Sequence, residues 1–201
     1  MSQKILVIGG ASLVGSTFID YAPNDAEIAA TLHNSSENKS HNTSEKIDLI
    51  KDRNKISEYI NKIRPEVVIH TVAFSSVDFC ETNNQLADLL HVEITKDITK
   101  ICNETNSKLV YFSTDAVFDG KKSQKYSEDE IPNPLSFYGK TKLDAEKIIL
   151  AENDRNVVLR TTVIYGHQKR SRFTECVLEN LKNQQPVTAF TDQYNTPTLV
   201  D

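Results

Sequence analysis

Short runs of apolar, largely β-branched residues alternate along this chain with stretches of helical periodicity, and that alternation admits few folds. The runs fall at Lys4–Ile8, Glu27–Leu32, Lys46–Leu49, Val67–Thr71, Lys108–Ser113 and Asn156–Thr161. Helical patterns at Leu13–Ala22, Asn54–Ile63, Leu89–Glu104, Phe137–Glu152 and Thr174–Asn183 fill the intervals. Strand and helix in turn predict a parallel sheet wrapped by helices. Val67-Val68-Ile69 is apolar on both faces, as a strand covered on both sides must be. The expected class is therefore α/β, a doubly wound parallel sheet. Asn34–Ser44, rich in Asn and Ser, reads as a polar loop.

The first strand runs into Gly9-Gly10-Ala11-Ser12-Leu13-Val14-Gly15 and then a helix. Small residues let a chain turn tightly there, and the helix start then offers backbone N–H groups to a pyrophosphate. Gly9 and Gly15 hold the outer positions of a dinucleotide frame of the Rossmann type, while Ser12 stands where a middle glycine is usual. The Ser12 hydroxyl could itself bond a phosphate. A glycine turn alone also serves as a plain strand-to-helix connection. Its place on the first strand of an alternating pattern favours the cofactor.

The second strand ends Leu32-His33-Asn34, with Lys39 and His41 close behind. No Asp or Glu stands where an acid normally holds the adenosine ribose, so NADP(H) is favoured over NAD(H), although Glu37 is near. Asp48 and Leu49 are expected beside the adenine, and Ala73, just past Val67–Thr71, joins the cofactor set.

Composition narrows the class further. A chain of 201 residues with net charge −5 suits one domain, or one domain and the start of a second. No basic run points to nucleic acid, and no apolar stretch nears the ~20 residues of a membrane span. Cys80, Cys102 and Cys176 are odd in number and far apart, and the five histidines form no close pair, so neither a disulfide framework nor a metal site is expected. Met1-Ser2-Gln3 leads straight into a strand with no room for a signal peptide, which makes the cytosol the expected compartment. The last residues, Thr198–Asp201, close no element, so the chain is expected to be cut short.

Tyr and Lys four positions apart share one helix face. The spacing occurs at Tyr138…Lys142 and at Tyr165…Lys169. Tyr138 opens a helical pattern, whereas Tyr165 follows a strand, precedes Gly166 and is expected in a loop. Upstream, Leu109–Phe112 delivers Ser113 and Thr114 to the carboxyl end of the sheet, where ligands bind in open α/β folds. A hydroxyl facing a Tyr and a Lys is a carbonyl-reduction site. The phenol can protonate the oxygen, and the cationic Lys142 is expected to lower its pKa below the ~10 of a free phenol.

At these residues the chain resembles the extended short-chain dehydrogenase/reductases, and within them the dTDP-4-dehydrorhamnose reductase family. Ser113–Gly120 (STDAVFDG) is similar to that family's STDYVFDG, and Tyr126–Pro134 to its YxExDxPxP loop. Tyr138–Lys142 resembles its YGxSK, Leu159–Gly166 its LRTSWVYG, and Asp192–Thr198 its DQxGxPT. The resemblance implies that Thr114 polarises a sugar carbonyl, Tyr138 is the general acid, Lys142 holds the nicotinamide ribose, and Asp115 positions the sugar. It implies a cofactor domain over 1–165, with 166–201 beginning a substrate lobe that is largely absent. The implied partner is a nucleotide-linked sugar, and a homodimer is compatible with it.

Ser12, Ala116, Val163, His91 and Asn195 depart from the family pattern, which bears on the substrate more than on the fold. Two alternatives stay open. One is an epimerase using the same trio. The other is a regulatory protein like the beta subunit of methionine adenosyltransferase, for which the altered Ala116 and Val163 would be tolerated.

Overall fold

The computed structural model describes residues 2–33, 43–166, 172–188, 191 and 195–200. Six strands form one parallel sheet: β1 (Lys4–Ile8), β2 (Glu27–Leu32), β3 (Thr43–Lys46), β4 (Val67–His70), β5 (Lys108–Thr114) and β6 (Val157–Thr161). Their order is β3-β2-β1-β4-β5-β6. The chain starts mid-sheet, winds to one edge and returns to build the other side. Strand order thus reverses between β1 and β4, which places the ligand crevice beyond the carboxyl ends of those two strands.

Alternate residues of each central strand enter opposite cores. Leu6, Ile8, Val68 and Leu109 pack on one face against Ile56 and Ile60 of α2 (Arg53–Ile63), Ile94 and Ile98 of α5 (Ile94–Glu104) and Ile149 of α6 (Phe137–Glu152). Ile5, Val7, Ile28, Ala30 and Ile69 pack on the other against Ile19 of α1 (Leu13–Asp20). Each fully buried Leu or Ile contributes about 1.5–3 kcal/mol. The two-faced apolar runs therefore fix which strands sit in the middle.

The second face is thinly covered near β5 and β6. A groove of about 310 Å³ runs there between Phe18 of α1, Tyr21 just past it, Phe112, Ile164 and Leu199. Leu159 on β6 is 39% exposed.

Three expectations need correction. The third strand is Thr43–Lys46, not Lys46–Leu49, so Thr43 and Ser44 belong to the sheet and not to the polar loop. Ile47 and Leu49 leave the sheet edge to bury in the core over α2, and Asp48 caps the turn that takes them there. The single helix over Leu89–Glu104 is a π turn (Leu89–Glu93) running into α5, preceded by α3 (Val77–Thr82) and α4 (Asn84–Asp88). Ser76, which accepts from the Phe79 N–H, starts that segment. Tyr165 lies in a short strand, β7 (Ile164–Tyr165), paired with β8 (Thr198–Leu199). The last helix, α7, spans Arg172–Lys182. Among the described residues no helix is long and apolar enough to cross a membrane.

Candidate active site

The glycine turn is built as a cradle. Gly9 has φ +91°, a conformation that favours glycine, and a Cβ on it would meet Val72 Cγ2 at 2.6 Å. A Cβ on Gly15 would lie 2.3 Å from the Gly9 carbonyl oxygen, so the helix reaches the turn only because residue 15 has no side chain. The Gly9 N–H donates to Thr31 Oγ1 (3.1 Å), which ties the turn to β2. Leu13 and Val14 begin α1, and their N–H groups have no acceptor within the helix. These are the donors that would meet a pyrophosphate.

Ser12, expected to be near a phosphate, also holds the turn together. Its hydroxyl oxygen caps α1 by accepting from the Gly15 N–H (3.0 Å). Thr71 donates its hydrogen to the Ile8 carbonyl (2.9 Å), so in the 2.9 Å contact between the two hydroxyls Ser12 is the donor. Through that contact the side chain ties the turn to Thr71, just past β4.

After β3, where the adenine is expected, Asp48 accepts from the Ile50 and Lys51 N–H groups, both at 3.1 Å, and these bonds lower its pKa. His33 Nδ1 is 4.0 Å and Lys51 Nζ 3.7 Å from the same carboxylate. Leu49 turns its side chain into the core. Ala73 is half-buried just beyond β4, next to Val72, which faces Gly9. Asn34, Glu37, Lys39 and His41 lie outside the described residues.

The three residues expected to be catalytic gather along the carboxyl half of β5. Thr114 is the last residue of that strand and caps the single turn Asp115–Val117, accepting from the Ala116 N–H at 3.1 Å and donating to Asp115 Oδ1 at 3.2 Å. Ser136 starts α6 by accepting from the Gly139 N–H (3.1 Å), and Gly139 packs against the Ala116 carbonyl. That contact sets Tyr138 beside Thr114. Burial pushes the Tyr138 phenol above its ordinary 10.0, while the Thr114 hydroxyl opposes the rise. Burial also raises the Asp115 carboxyl.

Lys142 behaves otherwise than expected. It is 1% exposed, and its Nζ donates to the Phe112 carbonyl (2.7 Å) and sits 4.0 Å from the centroid of the Tyr111 ring. Burial lowers its pKa from 10.5 to about 7, with the Glu146 charge opposing. In this arrangement it does not depress Tyr138, whose phenol is governed by desolvation.

The residues around the trio were not legible as site residues. His91, seen in the sequence only as a departure, is 1% exposed on the π turn. Its Nε2 accepts from the Phe74 N–H (2.9 Å), which leaves Nδ1 to carry the proton and donate to Thr141 Oγ1 (2.9 Å). Its ring meets Tyr138 edge-on at 5.7 Å. One neutral imidazole thus ties the loop after β4 to α6, and π turns recur at functional sites for such re-aiming. Glu146, also buried, accepts from the Ser113 hydroxyl and pairs with Arg160 at 2.7 Å. Arg160 lies over Phe118, which stacks on Tyr126 at 4.5 Å. Tyr126 donates to Asp119 (2.7 Å), so the loop before α6 folds back on the strand end. A charged pair fourteen residues apart on a helix and a strand has no local signature.

A reversing parallel sheet, a glycine cradle under its first helix and a Thr–Tyr–Lys cluster at the end of β5 define an extended short-chain dehydrogenase/reductase fold. The profile of the family described as RmlD substrate binding domain matches residues 3–201, and the chain belongs to that family. The dTDP-4-dehydrorhamnose reductase of Salmonella typhimurium is 34% identical over 143 residues, which are 71% of this chain and 48% of that protein. Methionine adenosyltransferase 2 subunit beta of Xenopus laevis is 33% identical over 166 residues, 82% of this chain and 48% of that protein. The solved dTDP-4-dehydrorhamnose reductase of Bacillus anthracis, in complex with NADP, superposes with a TM-score of 0.86 at 22% identity. The match covers 100% of this chain and 67% of that one. The chain spans about half the length of these curated relatives.

Proposed function

We propose that this chain is the cofactor-binding part of an NADP(H)-dependent reductase acting on a 4-keto sugar nucleotide, of the dTDP-4-dehydrorhamnose reductase kind. The observation that carries it is the gathering of Thr114, Tyr138 and Lys142 along the carboxyl half of β5, in the sheet whose β1 ends in the Gly9–Gly15 cradle. Gly9, Leu13, Val14 and Gly15 would hold the pyrophosphate, with His33, Asp48 and Ala73 along the rest of the dinucleotide. Lys142 would hold the nicotinamide ribose. NADP(H) is favoured because no Asp or Glu stands at His33-Asn34, after β2, to take the ribose hydroxyls. The Bacillus anthracis relative binds NADP. The bound cofactor supplies hydride.

The chain's own residues supply the rest. Thr114 donates to the carbonyl oxygen once it releases Asp115. Tyr138 delivers a proton to that oxygen as it gains negative charge, and its raised pKa keeps it protonated and competent at neutral pH. Asp115 borders the sugar. Residues 1–165 form the cofactor domain and 166–201 begin the substrate lobe. The three cysteines stand as free thiols, which agrees with a cytosolic setting.

A second reading is a regulatory protein, supported by the similarity to methionine adenosyltransferase 2 subunit beta and by Ala116 and Val163. One experiment separates them. In a longer form with a complete substrate lobe, the reductase oxidises NADPH when given nucleotide-linked 4-keto sugars, whereas the regulatory protein binds NADPH and leaves it intact. Binding with no oxidation across such a panel rejects the reductase.

A further inference from the structure

We propose that Tyr111 is a positioning residue of this site: its ring face is the seat that holds the Lys142 ammonium. The inference rests on the functional reading above only in giving Lys142 a ligand to meet. The seat itself is a feature of the protein alone.

A buried lysine has three donors to satisfy and a charge to stabilise. Lys142 makes one protein hydrogen bond, to the Phe112 carbonyl. The largest remaining contact is the Tyr111 ring, with Nζ 4.0 Å from its centroid. An ammonium over an aromatic face is attracted by the ring quadrupole, most strongly where water is excluded. Both side chains are 1% exposed, so water is excluded here.

The other groups around Lys142 do not share the task equally. From β4, His70 is 1% exposed and tilted against Tyr111 at 5.4 Å. From the π turn comes His91, and from its own helix Tyr138 and Glu146. Both histidines are held neutral by burial, with pKa values near about 3, and the Lys142 charge helps to keep them so. Glu146 favours the ammonium but is already paired with Arg160. Burial leaves the Tyr138 phenol neutral. The Tyr111 face is thus the neutral surface that attracts the charge without taking its proton.

The hydroxyl of Tyr111 is not what matters. It is buried without a well-formed hydrogen bond, and the Thr95 hydroxyl near it is engaged with His70 Nε2 at 3.2 Å. Burial raises its pKa, so it stays neutral. The ring does the seating, and a phenylalanine ring serves as well.

The test titrates Lys142 in the free chain by NMR of lysine labelled with ¹³C and ¹⁵N, assigned with Lys142→Met. Tyr111→Phe is expected to titrate like the parent. Tyr111→Leu, which removes the ring, is expected to lower the Lys142 pKa by about one unit, a tenfold weaker hold on the proton. Should Tyr111→Leu fail to fold, Tyr111→trifluorophenylalanine keeps the ring's shape and weakens its quadrupole, and the same downward shift is expected. An unchanged Lys142 pKa in the fluorinated ring overturns the proposal. So does an equal shift in the Phe and fluorinated variants, because that follows packing. NADPH affinity at pH 7 is measured alongside and is expected to fall in the leucine and fluorinated variants and to hold in Tyr111→Phe. If the parent binds no NADPH, the functional reading fails, while the Lys142 titration still decides the seat.

Discussion

The Cα of Gly139 lies against the carbonyl of Ala116 so closely that a Cβ would sit 2.3 Å from that oxygen. The helix carrying Tyr138 and Lys142 therefore reaches the strand carrying Thr114 by direct backbone contact. Gly139→Ala must drive α6 away from the Asp115–Val117 turn. We expect a loss of about 1–3 kcal/mol, the usual cost of overpacking, measured as a lower urea midpoint at an unchanged slope. A midpoint equal to the parent's would mean that the turn yields freely.

Gly15 plays the same part at the cradle, where a Cβ would meet the Gly9 oxygen at 2.3 Å. Gly15→Val is expected to abolish NADPH binding by calorimetry and to lower stability as well. A folded Gly15→Val protein with the parent's affinity would remove the glycine turn from the binding site.

Tyr138→Phe keeps the ring edge against His91 and removes the proton. Where the parent reduces a keto sugar nucleotide, the variant should lose about 100- to 10,000-fold in turnover, the usual share of a general acid, with cofactor affinity kept. Because burial holds the phenol above 10.0, kcat/KM should stay level through neutral pH and fall only on the alkaline side. Turnover near the parent's in Tyr138→Phe would assign the proton to another group.

Stability should rise with pH in two windows. His70 and His91 bind protons at 6.5 when unfolded but only near about 3 when folded, so between those values the unfolded chain holds more protons. Their stabilising effect is complete above 6.5 and is lost as pH falls toward 3, with a slope approaching two protons. Asp115, raised by burial, trims that slope. Lys142 repeats the pattern higher up, from about 7 to 10.5. Urea midpoints across pH test both windows, and His91→Asn should flatten the acid one. A flat acid profile in the parent would mean that the histidines are protonated when folded.

Much of the framework is legible in the residues. The central strands announce themselves because both faces are apolar, and α6 falls where its pattern starts and stops, with Ser136 as its cap. Thr114 and Tyr138 come together because each sits at the end of a regular element, and Lys142 follows one turn along α6. What is not legible depends on contacts between distant segments. The edge strand β3 has no apolar pattern of its own, and Ile47 and Leu49 imitate a strand while filling the core. The direction of the Lys142 ammonium follows from Tyr111 and Phe112 on another element, and spacing along α6 cannot give it. His91 acquires its role from a π turn, whose extra residue leaves no periodic trace.

The groove between α1 and β5 has a thermal consequence. Unfolding raises heat capacity in proportion to the apolar surface newly wetted, and that term bends the curve of stability against temperature. Phe112, Tyr21 and Leu199, which line that groove, are already partly wet in the native chain, and each adds less to it than a buried side chain of the same size. Apolar cover over the groove would therefore bend that curve more sharply.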